Sequence, residues 1–276
     1  MVSHLPIVTK LHVGCSGWSY TSWVGPFYPR GTPQTKWLEY YSRVFDFVEV
    51  DSTFYSIPSP IRTKKWARIT PEHFRFTAKF PKIITHDKSF YSVDRELEYF
   101  YSGMAPLKDK LLCLLIQLPP SVSFKGGFTA LKNFMKIVDT RYRYALEVRH
   151  RSWFNEELYD CLRGDNIGLV WNQLDTIQAP PVVTSDFIYL RFIGDRSIQE
   201  HEFGRIQKDR EKEMNSWAAE IRRLPDSVKI GIVPANNHYA GFGPGTATLF
   251  MKMMGLDGGQ RKEDQCTLSE FGVGDS

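Results

Sequence analysis

Tyr144-Ala145-Leu146-Glu147-Val148-Arg149-His150 opens as an apolar run and then sets charge on every second residue. A strand of a covered parallel sheet is buried on both faces and reads as nearly continuous apolar sequence. Side chains alternate with period two, so Glu147 and Arg149 share one face late in the run. The same pattern recurs along the chain. Phe45–Asp51 carries Glu49 and Asp51, Phe74–Phe80 carries Thr77 and Lys79, Leu111–Gln117 ends in Gln117, and Phe187–Phe192 carries Tyr189 and Arg191. Leu11–Cys15, Gly168–Asn172 and Val228–Val233 complete a set of eight apolar runs. Helical patterns lie between them at Gln34–Val44, Asp94–Gly103, Phe128–Val138, Asn155–Arg163 and Lys208–Arg223, with a last one at Gly245–Met254 after the eighth run. Repeated βα units predict an α/β chain with a parallel sheet, and eight of them predict closure into a single-domain (β/α)8 TIM-type barrel. A doubly wound open sheet is the alternative, disfavoured because no GxGxxG follows the first strand.

A chain of 276 residues suits one such barrel. Residues 1–256 are expected to form it, and the glycine-rich, polar stretch 257–276 is expected to be a flexible tail. Thr176–Ser185, with Pro180 and Pro181, is expected to join strands six and seven without a full helix. The net charge of +4 permits an anionic ligand but falls short of a dedicated nucleic-acid binder. Cys15, Cys113, Cys161 and Cys266 form no CxxC pair, which points to free thiols and a reducing cytoplasm. No apolar run reaches the length of a membrane span and the N-terminus has no signal-peptide pattern, so no membrane partner is expected.

Charges inside buried strands need an explanation. Glu49, Asp51 and Glu147 balance Lys79, Arg149 and Arg191, so a self-neutral ion-pair network is one reading. Burying six charges nevertheless costs several kcal/mol per ion without excellent pairing, and stability alone would favour apolar residues. In a barrel these positions lie inside, at the C-terminal rim where active sites form. Loops add candidates: Ser16, Trp18 and Tyr20 after strand one, Tyr55 after strand two, His86 after strand three, His150 and Trp153 after strand five, Asn172 at the end of strand six, and Asn236 and Asn237 after strand eight. His86, His150 and His238 show neither HExxH nor HxH spacing, so neither a metal nor another cofactor is expected. No P-loop and no GxSxG elbow is present.

These pieces, in this order, resemble the domain-of-unknown-function family 72, also called the YecE-like family. The resemblance rests on Gly14–Trp18 with Tyr20 and Trp23, Phe27-Tyr28-Pro29, Leu38-Glu39-Tyr40-Tyr41, Val48–Tyr55 with Pro58, and Phe76-Thr77-Ala78-Lys79. It continues through Thr85-His86, Gln117-Leu118-Pro119-Pro120, Glu147-Val148-Arg149-His150 with Trp153, Tyr189-Leu190-Arg191 and Asn236-Asn237. It implies the barrel fold, sets the family's motif residues at the strand ends, and leaves the reaction open. Asn172 and Ile193 depart from the pattern, standing where the resemblance leads one to expect Asp and His. If those positions move protons in relatives, this chain uses another base or differs in activity.

Three functions compete. The first is an enzyme, a hydrolase, lyase or isomerase, acting on a small phosphate- or carboxylate-bearing or polyhydroxylated substrate. Lys79, Arg149 and Arg191 would hold the anion, with Lys79 also catalytic because a lysine held among charges can have a tuned pKa, Glu147 or Asp51 would be the base, and His86 or His150 the acid; Ser16, Trp18, Tyr20, Glu49, Tyr55, Gln117, Trp153, Asn172, Asn236 and Asn237 would complete the binding site. Within it, a glycoside hydrolase would use Asp51 with Glu147. The second is a nucleic-acid-binding or phosphodiester-processing barrel, drawing on Trp18, Tyr20, Trp23, Tyr55, Arg30, Lys82, Lys88 and Arg151. The third is a non-catalytic ligand-binding barrel.

Overall fold

The computed structural model describes residues 9–256. The tail at 257–276, and Cys266 within it, lie outside the described residues. Eight parallel strands, β1 (Lys10–Ser16), β2 (Phe47–Val50), β3 (Arg75–Lys79), β4 (Leu111–Gln117), β5 (Tyr144–Glu147), β6 (Gly168–Gln173), β7 (Phe187–Phe192) and β8 (Ile230–Ala235), close on themselves in sequence order. β8 returns to pair with β1 over six residues, Lys10 against Ile230 through Cys15 against Ala235. The expected strands are all present, with ends shifted by a few residues. Asp51 and Arg149 fall just beyond their strands, in the turns that follow.

The outer layer holds α1 (Trp37–Val44), α2 (Pro60–Ile69), α3 (Asp94–Met104), α4 (Phe124–Met135), α5 (Glu156–Gly164), α6 (Glu211–Arg222), a one-turn α7 (Asn237–Ala240) and α8 (Gly243–Met253). As the two prolines suggest, β6 and β7 are joined without a helix. Thr184 pins that connection by donating to the Ile167 carbonyl and accepting from the Leu169 N–H. Helix α2 is absent from the sequence expectation because it is rich in lysine and arginine and buries only Thr63, so it has almost no apolar stripe to read. Its start is nonetheless well specified, with Ser59 as cap and Pro60 in the first turn. Helix α4 starts four residues before its expected beginning. Gly126 and Gly127 look like breakers, but a Cβ on Gly127 would stand 2.5 Å from the Val122 side chain and 3.0 Å from the Trp153 ring.

Inside the barrel the lower level is apolar: Phe47, Cys113, Leu115, Ala145, Val170, Phe187 and Ile232 pack together with the ring of Tyr189. Outside it, the strands' other faces pack on the helices in a second, larger core. Cys15 and Cys113 are free thiols behaving as small buried hydrophobes, and Cys161 is also free. Among the described residues no helix is long and apolar enough to cross a membrane.

The seam between β1 and β2 is the tightest backbone approach. The two strands pair only at Cys15–Val48 and Ser16–Glu49. Below that, the Tyr41 hydroxyl bridges them, accepting from the Cys15 N–H (2.7 Å) and donating to the Phe47 carbonyl (2.9 Å). A Cβ on Gly14 would stand 2.1 Å from that same carbonyl oxygen. Gly14→Ala must therefore pry the seam open. Urea unfolding is expected to show a loss of about 3 kcal/mol or more; a change below about 0.5 kcal/mol would contradict this packing.

Candidate functional site

Above the apolar level the interior turns ionic, and Arg191 on β7 is its centre. Its guanidinium donates through Nη1 to Glu147 Oε2 on β5 and through Nη2 to Glu49 Oε1 on β2 (2.6 Å), with a longer contact to Asp51 Oδ1 (3.3 Å). Glu147 Oε1 takes a second bond from Arg149 Nε (2.7 Å). Glu49 is saturated as well. Ser16 Oγ donates to Oε1 (2.6 Å), and the Tyr189 hydroxyl donates to Oε2 (2.5 Å) while its oxygen accepts from Thr77 (2.7 Å). Glu49 and Glu147 are fully buried and Arg191 nearly so.

The charges set the protonation states. Burial alone would push the Glu147 carboxyl up, but Arg149, Arg191 and Lys79 outweigh it and hold it at about 2. With both oxygens bonded to guanidinium groups, Glu147 is an anchor and a poor base. Burial pushes the Glu49 carboxyl up, against Arg191, and nearby Asp51 adds to the rise. Burial would lower Arg191, but Glu49, Glu147 and Asp51 raise it well above the usual range. Its two Nη groups are spent on carboxylates, so a substrate anion falls to Arg149 and Lys79.

Lys79 is different. It is 8% exposed, and among the described residues its Nζ meets no hydrogen-bond acceptor and no ion-pair partner. Instead it stands 4.1 Å from the centre of the Phe54 ring. Burial lowers it, Arg191 and Arg149 add to that, and Asp51 and Glu147 only partly offset them, leaving it at about 8. Phe54 is placed by the turn Ser52–Phe54, which is locked to β3 because Thr53 Oγ1 donates to the Lys79 carbonyl (2.7 Å).

His86 packs edge-to-face against Phe54, with ring centroids 5.0 Å apart. Its Nδ1 lies 2.8 Å from the Thr85 hydroxyl, which also reaches the Pro81 carbonyl at 3.4 Å. Where that hydroxyl donates to the carbonyl, Nδ1 carries the proton and Nε2 offers a lone pair; where it donates to Nδ1, Nε2 carries the proton. Burial, then Lys79 and Arg149, lower the imidazole, which favours the neutral ring.

The strand ends also carry two amides. Asn172 donates through Nδ2 to the Val148 carbonyl (2.9 Å), and Gln117 through Nε2 to the Leu118 carbonyl (3.3 Å). Their oxygens, Asn172 Oδ1 and Gln117 Oε1, are buried acceptors without protein partners. A carboxylate at position 172 could not make the Val148 bond, so the amide suits this chain.

A model of the family described as "Protein of unknown function DUF72" matches residues 12–268. The chain belongs to the DUF72 family. UPF0759 protein YecE of Escherichia coli strain K12 is 31% identical over 144 residues, 52% of this chain and 50% of that protein. UPF0759 protein YunF of Bacillus subtilis strain 168 is 31% identical over 156 residues, 54% of each. The chain thus spans about half the length of these curated relatives. The crystal structure of a DUF72 family protein from Thermotoga maritima matches with a TM-score of 0.77 at 30% identity, over 89% of this chain and 99% of that one. A DUF72 family protein from Enterococcus faecalis V583 matches with a TM-score of 0.69 at 21% identity, over 91% and 97% of the two chains, a likeness of fold.

In this DUF72 barrel, the strand residues and Ser16, Asp51, Arg149 and His86 come together as expected. Tyr20 lies beside them, its hydroxyl donating to the Ser16 carbonyl (2.9 Å), and Tyr55 is an exposed ring against Phe54. Other expected site residues serve the scaffold. Trp153 is fully buried, donating to the Val122 carbonyl and edge-to-face with Phe124 of α4. Asn237 Oδ1 ties Trp23 Nε1 (3.0 Å) to the Gly243 N–H (2.8 Å). Asn236 caps α7, and His150 caps the short turn at Arg151–Trp153, its Nδ1 bonded to Ser152. Trp18 leaves the mouth for a cleft between the starts of α1 and α2, edge-on to Trp66. Phe54 and Thr53 are absent from the expected site, and Thr77 and Tyr189 are expected on its interior face but without a role. The last two lie two residues before Lys79 and Arg191, a period-two signal that marks them; Phe54 and Thr53 lie in a turn and carry no such mark. Among the described residues no group of three or more His, Cys, Asp or Glu side chains is arranged to hold a metal ion.

The folded Glu147 carboxyl titrates below an unfolded one, so its stabilising contribution is full above about pH 4.5 and lost as pH falls towards 2. Glu49, being raised, acts in the opposite sense. Comparing wild type with Glu147→Gln isolates the first effect. Their difference in unfolding free energy is expected on the order of 3 kcal/mol at pH 7 and should shrink between pH 5 and pH 3. A difference that does not change with pH would contradict the ion-pair geometry.

Proposed function

We propose that the strand-end cluster is the active site of an enzyme, a hydrolase, lyase or isomerase, acting by proton transfer on a small anionic, hydroxylated molecule. One observation carries this reading: of six balanced charges, Lys79 alone has no ion-pair partner among the described residues, although its side chain is almost buried and rests on the Phe54 ring. A purely structural network has no use for that ion, because burying an unpaired ammonium costs several kcal/mol. A poised amine at a barrel's strand ends is what acid–base chemistry requires. Asp51, whose side chain is 29% exposed, and His86 Nε2 are the bases. Arg149 and Lys79 receive the anion, and the free oxygens of Asn172 and Gln117 suit substrate hydroxyls or a bound water.

The glycoside-hydrolase variant draws little support, because the Arg191 guanidinium contacts both Asp51 and Glu147, in the place a sugar would need. The nucleic-acid reading loses two of its rim cations to local partners, Lys82 to Asp87 (2.8 Å) and Lys88 to Glu96 (2.8 Å). A reducing cytoplasm suits the three free thiols.

The test is incubation of the purified protein with a small-metabolite extract, followed by mass spectrometry. We expect depletion of a phosphate- or carboxylate-bearing compound. Lys79→Met and Asp51→Asn should each slow it by about 10²-fold or more while keeping the wild-type circular dichroism and melting profile. An extract left unchanged by the wild-type protein, or variants as active as wild type, would overturn the proposal.

A further inference from the structure

The surroundings of Lys79 say more than that it moves protons. Its Nζ rests against an aromatic face and has no carboxylate within ion-pair distance, and two arginines lie in the same cluster. Apolar contact and like charge are the two means by which a lysine is kept nucleophilic. Desolvation and the like charge of the arginines weaken the Lys79 ammonium, whereas Asp51 and the Phe54 face favour it, so both forms of the amine are within reach. Other buried cations of this chain are handled differently. Lys110 Nζ is satisfied by the carbonyls of Ala67, Thr70 and Pro71, each at 2.8 Å. Arg191 meets three carboxylates through its two Nη groups, while its Nε has no partner among the described residues. Lys79 is also held firmly: its carbonyl is tied to Thr53, and the Thr53 turn carries Phe54.

We propose that Lys79 is a covalent nucleophile that forms an imine with the aldehyde or ketone carbon of a small anionic substrate. This rests on the reading of the strand-end cluster as a substrate site and narrows the substrate to a carbonyl compound. Asp51, which lies beyond direct contact with Nζ, takes one proton from the ammonium through a bridging water. The freed Nζ lone pair forms the N–C bond as the carbonyl π pair moves to oxygen. The alkoxide takes a second nitrogen proton, giving a neutral carbinolamine. The borrowed proton then returns to the carbinolamine hydroxyl, which leaves as water while the nitrogen lone pair closes the C=N bond. One ammonium and one carbonyl become one protonated imine and one water, with no change of oxidation state. Arg149, its Nε engaged with Glu147 and its side chain 17% exposed, would hold the substrate's anionic group.

The experiment uses the full chain with glyoxylate as probe and formaldehyde as a second, smaller one. Sodium cyanoborohydride reduces any imine to a stable secondary amine, and peptide mapping locates it. At pH 7.5 Lys79 is expected to be modified about tenfold faster than the exposed Lys64 and Lys65. Its rate should be half-maximal near pH 8, reflecting its facing groups Asp51, Glu147, Arg149, Arg191 and His86. Lys79→Arg should remove that modification and leave Lys64 and Lys65 labelled as before. Lys79 modified by both probes no faster than Lys64 would overturn the imine. A protein that depletes the metabolite extract while Lys79 stays unmodified would also overturn it and leave the acid–base reading standing. Selective labelling of Lys79 beside an unchanged extract would support the imine and count against that broader reading.

Discussion

Arg191 spans the interior of the barrel, and the upper half of the fold depends on how it is satisfied. It reaches from β7 to β5 on one side and to β2 on the other, joining strands that do not pair with each other. The cost of burying this guanidinium is offset only by charge-assisted bonds of good geometry. That explains why its partners are themselves held. Glu49 is fixed by Ser16 and Tyr189, Tyr189 by Thr77, and Glu147 by Arg149. Remove any one and a buried ionic or polar atom is left open. The network thus acts as a rigid floor, and the apolar level below keeps water from reaching it from beneath.

A floor of this kind does not add stability over an apolar plug of the same volume. What it gives is a fixed electrostatic field at the level where a ligand would enter. Glu147 and Glu49 are too deep and too fully bonded to take part in proton transfer. Asp51, Arg149, Lys79 and His86 lie one step nearer solvent, and the proposed chemistry falls to them. Two kinds of carboxylate therefore coexist within a few residues, Glu49 and Glu147 sealed among their partners and Asp51 partly open to solvent.

How much of this could be read from sequence follows from where strand geometry applies. Period two is enforced by the pleat, so Glu49, Lys79, Gln117, Glu147, Asn172 and Arg191 could be assigned to one interior from letters alone. Asp51 and Arg149 lie just beyond their strands, and the period carries them in all the same. Past that point the rule has no grip. His150 and Trp153 follow Arg149 in the same turn, yet one caps it and the other dives under α4 beside Gly127. Asn237 looks like a ligand-facing amide and instead clamps the β1 loop to α8. Phe54 was unreadable for the same reason, because a turn residue's direction is set by tertiary anchors such as the Thr53 bond and not by spacing. Helix α2 escaped for a different reason: a cationic helix with one buried side chain has no stripe.

The charge count of the cluster also bears on its chemistry. Glu49, Asp51 and Glu147 face two arginines, so without the Lys79 proton one negative charge is left over. Burial, with Arg191 and Arg149, draws that proton off, while Asp51, Glu147 and the aromatic face of Phe54 draw it back. A neutral amine leaves the cluster with its negative charge uncompensated, and an ammonium is poorly solvated where it stands. A protonated imine answers both conditions. It keeps the positive charge the carboxylates call for, yet spreads it over carbon and nitrogen with fewer N–H groups to solvate than an ammonium has. The imbalance among fixed charges would then favour the bound covalent intermediate over either form of the free lysine, which is the direction differential binding must take if the site is to lower a barrier.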